Sequence, residues 1–401
     1  MDAVIIFILL LIINYMLLSF LRKRHRLPNT GILNYLFFYH TFFYIIYYIY
    51  ALFRPSDSKF YYAVSLANQD HWLDYVKTGT DFIVFLAIPF VKLGLSYEAV
   101  MLIFSWFGYL GFVYTYFLFK ENIPERIRIL RMDFLTLLLF LPNMHFWTAS
   151  LGKGAVIFLG LMMVTYAMAK PKQRLFTLMI GSFLVYMVRP HVMLFVVVGI
   201  MVGYLTGKER ISPLTKVFIT LVAVLFLILA SDKILQIVNL ENSENLTQDF
   251  LEFSELQSQR LSESAGSGVD MNNYSLPFKF FTFWFRPLFI DAPNFIGLIV
   301  SFENLLYLYI FSKVFNRTFF RFLKQAPRMV KMAATTFLLA TFALTFLMSN
   351  LGIIMRQKSQ VMYFAFFTIY YFLALKQRYK RKMHLKKIQQ KNEERKLYHI
   401  T

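Results

Sequence analysis

The chain of 401 residues has no cysteine and few charged residues. Without cysteine, disulfides, thiolate metal sites and cysteine nucleophiles are excluded. Only 16% of the residues are charged, whereas a soluble domain usually carries about 25%. The sequence also lacks a Walker-type glycine loop, a dinucleotide fingerprint, a Gly-x-Ser-x-Gly elbow and a His-Glu-x-x-His motif. Nucleotide-driven and protease chemistry therefore has no support.

What the sequence does contain is apolar and aromatic. Hydrophobic residues make up 58% of the chain and aromatic residues 19%, and the mean hydropathy is +0.53. The apolar runs continue through the whole chain, and many are near the length of about 20 residues that a transmembrane helix needs. The sequence therefore predicts an all-α, polytopic integral membrane protein. We expect a membrane domain over residues 1–375 and a basic tail over residues 376–401.

Eleven apolar runs are predicted to span the membrane, and those between residues 175 and 205 are short. The runs lie at 3–20, 31–52, 97–119, 133–150, 154–169, 175–188, 192–205, 217–230, 288–311, 332–349 and 361–375. A further run, Phe82–Leu95, is poor as a span because it is short and contains Pro89 and Lys92. We expect it to form an outer-surface or re-entrant helix, which gives about 11 spans in total.

The net charge of +20 raises the question of nucleic-acid binding, but the positions of the basic residues argue against it. Every basic cluster directly flanks an apolar run, which is the positive-inside pattern of membrane proteins. The clusters are Arg22–Arg26, Arg126–Arg131, Lys170–Arg174, Lys208–Lys216 and Lys313–Lys331, followed by a tail with ten Lys or Arg and two Glu. We therefore expect anionic membrane lipid, and no nucleic acid, as a partner, with the N-terminus outside and the C-terminus in the cytoplasm.

Two longer polar segments, 53–96 and 231–286, are predicted to lie outside. The second has eight acidic and four basic residues, a net charge of −4. Within it, apolar residues at helical spacing predict a surface helix over Leu246–Leu261, and Gly266–Gly268 is typical of a loop tip. The chain has no internal repeat, which weakens a transporter interpretation based on inverted repeats.

Ionisable side chains recur where the predicted spans leave the outer face. Arginines there oppose the positive-inside trend, and a guanidinium can bind phosphate or diphosphate through two hydrogen bonds. The alternative is that these cations extend to lipid phosphates at the interface. Together with nearby histidines, they form a predicted outer pocket for an anionic headgroup. The predicted substrate-binding residues are Arg189, His191, Arg286, Arg356, Lys358, His145 and Lys153.

The first outer segment also contains carboxylates. Asp57 follows the second span and is a candidate general base that deprotonates an acceptor hydroxyl. The competing interpretation is that Ser56 or Asp57 caps the helix that follows. Asp70 is predicted to contact substrate, and Trp72 to stack on a sugar ring. Histidines and carboxylates here show no metal-ligand spacing, so we predict no metal and no cofactor.

Four segments of the chain stand out: Ser56–Ala63 (SDSKFYYA), Thr78–Ile83 (TGTDFI), Leu93–Tyr97 (LGLSY) and Leu141–Gly154 (LPNMHFWTASLGKG). They resemble EpsG-like and Wzy-type bacterial polysaccharide polymerases and, more remotely, membrane glycosyltransferases of the GT-C fold. The resemblance covers about the first 200 residues, with only the general layout shared thereafter. It implies a catalytic acidic residue and membrane-lying helices in the first outer loop, positions that Asp57 and the helix at Phe82–Leu95 occupy. Gly154 stands where the resemblance leads us to expect an acidic residue.

The predicted function is assembly of a bacterial surface polysaccharide. The resemblance implies a multi-pass protein of the inner membrane that acts on undecaprenyl-diphosphate-linked sugars at the outer face. Its expected partners are a lipid-linked oligosaccharide and other polysaccharide-assembly proteins. Two alternatives stay open: a flippase or transporter of lipid-linked oligosaccharide, and a non-catalytic scaffold of an export complex.

Overall fold

The computed structural model describes residues 1–25, 30–237, 274–347 and 350–398, together with a few single positions between 238 and 273. The described chain is almost entirely α-helical. In its first half the helices are α1 (Asp2–His25), α2 (Gly31–Phe53), α3 (Asp57–Ala67), α4 (Thr80–Lys92), α5 (Tyr97–Asn122), α6 (Phe134–Leu139), α7 (Pro142–Thr148) and α8 (Lys153–Ala169).

The second half continues the same architecture. Its helices are α9 (Leu175–Val188), α10 (Pro190–Thr206), α11 (Pro213–Ile237), α12 (Leu276–Phe285), α13 (Phe295–Ser312), α14 (Arg317–Lys324), α15 (Arg328–Leu347) and α16 (Leu351–Tyr398). Three short 3₁₀ helices lie at Gln69–Tyr75, Pro171–Gln173 and Phe289–Asp291. The antiparallel pair β1 (Arg128–Ile129) and β2 (Met132–Asp133) forms a hairpin after α5.

Six of the described helices are long and apolar enough to cross a membrane. They are α1, α2, α5, α11, α13 and α15, and four shorter apolar segments accompany them. The prediction of an all-α membrane protein is confirmed at this level, and the count of eleven spans stays a prediction.

The apolar run at 133–150 is not one helix, contrary to the continuous span predicted there. Helix α6 ends at Leu139 and α7 begins at Pro142. Proline has no backbone N–H and clashes with the preceding turn, so it is tolerated at the first position of a helix and not in its interior. The break places the loop Ala149–Gly152 and the start of α8 beside α3.

The stretch predicted as an outer-surface or re-entrant helix does form a helix, α4. The chain enters it through Gly79, whose φ of 88° lies in the left-handed region that favours glycine. The Gly79 N–H donates to the carbonyl of Met187, 2.7 Å away at the end of α9. Side chains along α4, such as Phe82 and Ile83, are fully buried against their neighbours. Segment 53–96 is thereby attached to the α9–α10 junction.

Helices α10 and α15 approach each other closely through a Gly-x-x-x-Gly pair. An added Cβ at Gly199 would lie 2.1 Å from the Thr336 hydroxyl oxygen, and one at Gly203 would lie 2.6 Å from the Arg328 carbonyl oxygen. Small residues at this spacing let the backbones of membrane helices pack in direct contact.

Helix α16 runs without interruption from Leu351 to Tyr398, so the predicted span at 361–375 and most of the basic tail form one helix. Its first turns contribute Arg356 to the candidate site described below. The helix predicted at Leu246–Leu261 and the loop tip at Gly266–Gly268 fall largely outside the described residues. Gly268 itself forms an isolated antiparallel bridge with Asn350, just before α16.

Candidate anion-binding site

Asp57 and Arg356 form an ion pair between α3 and α16. The Arg356 guanidinium donates to the Asp57 carboxylate over 2.7 Å. Ser56 is the N-cap of α3 and its hydroxyl accepts from the Ser58 N–H at 3.3 Å. Because Ser56 caps the helix, the Asp57 side chain is free to project from the first turn. It is 56% exposed, so a ligand can reach it.

Tyr61 lies one turn further along α3, between Asp57 and the loop that precedes α8. Its ring is buried, and a Cβ built on Gly152 would lie 3.4 Å from that ring. Burial raises the pKa of Tyr61 and Asp57 raises it further, whereas Arg356 and Arg189 lower it. Tyr61 therefore shares one electrostatic neighbourhood with a carboxylate and two arginines.

Arg189 joins this group from the junction between α9 and α10. Pro190 begins α10 immediately after it, so the chain turns within one residue. The buried Arg189 guanidinium donates to Oε1 of Gln357 and, over 3.1 Å, to Oε1 of Gln360. Burial, and after it the charge of Arg356, lower the pKa of Arg189. Both partners are neutral amides, so the positive charge is not cancelled.

Lys153 and His191 complete the cluster from the first turns of α8 and α10. The charges of Arg189 and Arg356 both act on Lys153, and those of Arg189 and Lys153 act on His191. We call Asp57, Tyr61, Lys153, Arg189, His191, Arg356, Gln357 and Gln360 the cationic cluster. It holds three cations and one carboxylate, a net charge of +2 before His191 is counted.

Two buried polar atoms of the cationic cluster have no hydrogen-bond partner within the described part of the chain. They are Nδ1 of His191 and Nε2 of Gln360. A buried polar group without a partner is costly, and in native proteins such a group calls for a specific explanation. An oxygen-rich anion in the cluster would accept from both if His191 carries its proton on Nδ1. The unpaired atoms and the excess positive charge point to the same class of ligand.

The indole of Trp147 connects the cluster to α7 and, through Asn143, to α13. The Arg356 guanidinium lies 5.9 Å from the centre of the Trp147 ring, and the indole N–H donates to the Asn143 side chain over 3.1 Å. The Asn143 N–H in turn donates to the buried Glu303 carboxylate over 2.9 Å. These hydrogen bonds hold the Trp147 ring in place beside Arg356.

The structure places Arg286 and Lys358 in a different network. The Arg286 guanidinium pairs with the carboxylate of Asp291 and contacts the Tyr274 hydroxyl at 3.3 Å. The fully buried Lys358 ammonium donates to the carbonyls of Arg286 (2.8 Å) and Trp284 (3.4 Å) and to Oδ1 of Asn304 (2.6 Å). An ammonium has three donors, and all three of Lys358 are used within the protein.

His145 lies in the packed interior of the protein. Its Nδ1 is 2.8 Å from Nδ1 of His40, its Nε2 is 2.7 Å from the Leu139 carbonyl oxygen, and its ring stacks on Phe112 with centroids 3.9 Å apart. The ring is fully buried. The structure therefore does not bring His145 to the cationic cluster.

Asp70 and Trp72 lie on the exposed 3₁₀ helix between α3 and α4. The Trp72 indole stacks on Phe85 with centroids 5.2 Å apart, and its N–H donates to the Phe85 carbonyl over 2.8 Å. Asp70 is exposed to solvent. Neither residue contacts the cationic cluster. Within the described residues, no group of three or more histidines and carboxylates is arranged to hold a metal ion.

Of the predicted site residues, four meet in the cationic cluster with Asp57: Lys153, Arg189, His191 and Arg356. Sequence reasoning missed Tyr61, Gln357 and Gln360. The two glutamines stand in a polar break, Arg356–Gln360, between the apolar residues that open α16 and those that follow. Adjacent polar residues inside an apolar helix were the signal that could have identified them.

No protein-family model, curated protein or solved structure matches this chain.

Proposed function

We propose that this protein is a membrane glycosyltransferase or polymerase that assembles a bacterial surface polysaccharide from undecaprenyl-diphosphate-linked sugars. The observation that supports the proposal is the ion pair between Asp57 and Arg356, with Arg189 and Lys153 close enough for their charges to act on the same group of side chains. Three neighbouring cations suit a diphosphate, and an accessible carboxylate beside them suits an acceptor hydroxyl.

The proposed topology has eleven spans, with the N-terminus outside the inner membrane and the tail in the cytoplasm. The cationic cluster is built from the start of α3, the starts of α8, α10 and α16, and the end of α9. In that topology all of these helix ends lie at the outer face, and the basic clusters along the chain lie at the cytoplasmic face.

In the proposed reaction, the acceptor hydroxyl attacks the anomeric carbon of the lipid-linked sugar. A new C–O bond forms, and the bond between that carbon and the diphosphate oxygen breaks. The lipid diphosphate leaves with the electron pair, and the acceptor proton passes to the Asp57 carboxylate. Arg189, Arg356 and Lys153 stabilise the negative charge that develops on the leaving group, so positioning and electrostatics provide most of the catalysis.

The ion pair suggests how the two substrates are coupled. While Arg356 binds Asp57, the guanidinium occupies one oxygen of the carboxylate. An incoming diphosphate competes for Arg356, and Asp57 is then released toward the acceptor. Under this scheme the base becomes fully active only when the donor is bound.

The test is glycosyl transfer by the purified protein in lipid nanodiscs, with a polyprenyl-diphosphate-linked oligosaccharide as the substrate. The proposal predicts longer glycans and release of polyprenyl diphosphate in equal amounts. A flippase would instead carry the intact oligosaccharide across a liposome membrane without forming a glycosidic bond. Transport without bond formation would contradict the proposal. The absence of both activities would favour the scaffold interpretation.

A further inference from the structure

A polar cavity of about 630 Å³ lies at the opposite end of α5 from the cationic cluster. At the start of α5, the Tyr97 hydroxyl contacts the Ser58 hydroxyl of α3 at 2.6 Å, near the cluster. An α-helix rises 1.5 Å per residue, so Lys120 in the last turn of α5 is roughly 35 Å away. The cavity is lined by Ile32, Tyr116, Lys120, Arg126, Arg128, Asp133, Leu135, Thr136 and Gln377.

The lining residues place the cavity at the depth of lipid headgroups. Ile32 stands at the start of α2, Lys120 near the end of α5, and Gln377 just beyond the apolar part of α16. The apolar parts of α2, α5 and α16 thus all reach one end at this cavity, and α2 and α5 are candidate membrane helices. The ends of such helices lie at the interface between the hydrocarbon core and water, where phosphates of phospholipids are found.

The cavity has an excess of positive charge. Lys120, Arg126 and Arg128 face a single carboxylate, Asp133, which leaves a net charge of +2. Asp133 stands opposite Arg128 in the hairpin, but one of its oxygens accepts from both the backbone N–H (3.1 Å) and the hydroxyl (3.0 Å) of Thr136. Within the described ranges, none of the three cations forms an ion pair.

The hairpin beside the cavity has an unusual turn. Leu130 and Arg131 both adopt left-handed φ values, 51° and 66°. Two-residue hairpins of this kind normally use Asn and Gly at these positions, because other side chains are strained there. The tight turn also exposes Leu130 and Met132 near its tip. Exposed apolar side chains beside arginines suit an environment in which lipid tails and phosphates meet.

We propose that this cavity is a binding site for the phosphate headgroup of an anionic phospholipid. Lys120, Arg126 and Arg128 bind the headgroup, and Leu130 and Met132 contact the adjoining acyl region. The cavity volume falls within the range of about 300–1,000 Å³ that is usual for small-molecule sites. The site is separate from the cationic cluster, so the inference does not depend on the proposed transferase activity.

The experiment is native mass spectrometry of the purified protein titrated with phosphatidylglycerol and, separately, with phosphatidylcholine. The wild-type protein should retain phosphatidylglycerol in preference to phosphatidylcholine. The double variant Arg126→Gln/Arg128→Gln should bind phosphatidylglycerol at least roughly tenfold more weakly, since each arginine donates charge-assisted hydrogen bonds. The matched control is Arg317→Gln/Arg321→Gln, which removes two exposed arginines of α14 outside the cavity and should bind like the wild type.

Two outcomes would overturn the proposal. If both double variants bind phosphatidylglycerol equally more weakly than the wild type, the overall charge of the protein attracts the lipid and the cavity is not a specific site. Displacement of bound phosphatidylglycerol by millimolar inorganic phosphate, with no preference between the two lipids, would assign the cavity to a soluble phosphate. Thermal unfolding of each variant is measured in parallel. If Arg126→Gln/Arg128→Gln is not folded, Arg126→Ala and Arg128→Ala are titrated singly, and wild-type affinity in both would also overturn the proposal.

Discussion

Arg356 and Asp57 are 299 positions apart in the sequence, yet the guanidinium and the carboxylate are 2.7 Å apart in the structure. The contact joins the start of the last helix to the start of α3. It gives Asp57 a partner that a helix cap would not need, because Ser56 already fills the N-cap position. The pair is therefore the centre of the proposed site.

Asp57→Asn should abolish polymer formation while membrane insertion and expression stay normal. The substitution removes the proposed base with little change in volume, and general-base catalysis contributes about 10²–10⁴-fold to rate. The measurement is polymer yield and length in cells that produce each variant at equal levels. Asp74→Asn is the matched control, since that carboxylate is 73% exposed and its ion-pair partner is His71. Normal polymer from Asp57→Asn would remove the base role.

Gly154→Ala should destabilise the protein, because an added Cβ would lie 2.2 Å from the carbonyl oxygen of Trp147. This contact also explains why no acidic side chain stands at position 154. Gly152→Ala is the control, since its Cβ would be 3.4 Å from the nearest atom, an ordinary contact with the Tyr61 ring. Thermal unfolding should show a lower Tm for Gly154→Ala only. Equal Tm values would mean that the α7–α8 loop tolerates rearrangement.

Lys358→Met should lower thermal stability more than it lowers transfer per folded molecule. Removing the ammonium leaves the Arg286 carbonyl and the Asn304 side chain without their donor, and a buried unpaired group costs about 1–3 kcal/mol. Lys313→Met, at an exposed lysine beyond α13, is the control. Should Lys358→Met keep its Tm and lose transfer, Lys358 would bind substrate directly.

The proposed topology is open to a labelling test, because the natural chain has no cysteine. A single cysteine at Ser264 should react with a membrane-impermeant thiol reagent added from outside. Single cysteines at Ser212 and Gln389 should react only after the membrane is permeabilised. Outside labelling at Ser212 would reverse the assignment of the basic loops and move the cationic cluster to the cytoplasmic face.

Composition and periodicity were enough to predict an all-α membrane protein, since long apolar runs have few other solutions in a bilayer. The break at Pro142 was also readable from the sequence, because proline disrupts a helix interior. The interaction partners of the charged residues could not be predicted from the sequence. Arg189, Arg286 and Arg356 look alike as arginines beside apolar runs. Only tertiary packing decides that Arg286 pairs with Asp291, Arg356 with Asp57, and Arg189 with two glutamines of α16.

The central claim is that Arg189 and Arg356 bind a diphosphate, and glycosyl transfer by their lysine variants tests it most directly. Lysine retains the charge but cannot reproduce the paired hydrogen bonds of a guanidinium. Hydrogen bonds to charged groups are worth about 1.5–3 kcal/mol, so one lost bond should slow turnover roughly ten- to a hundredfold. Arg54→Lys, at an exposed arginine just before α3, is the control. We predict that Arg189→Lys and Arg356→Lys lose activity almost as severely as the alanine variants, while Arg54→Lys stays near wild type. Near-native turnover in both lysine variants would contradict the account.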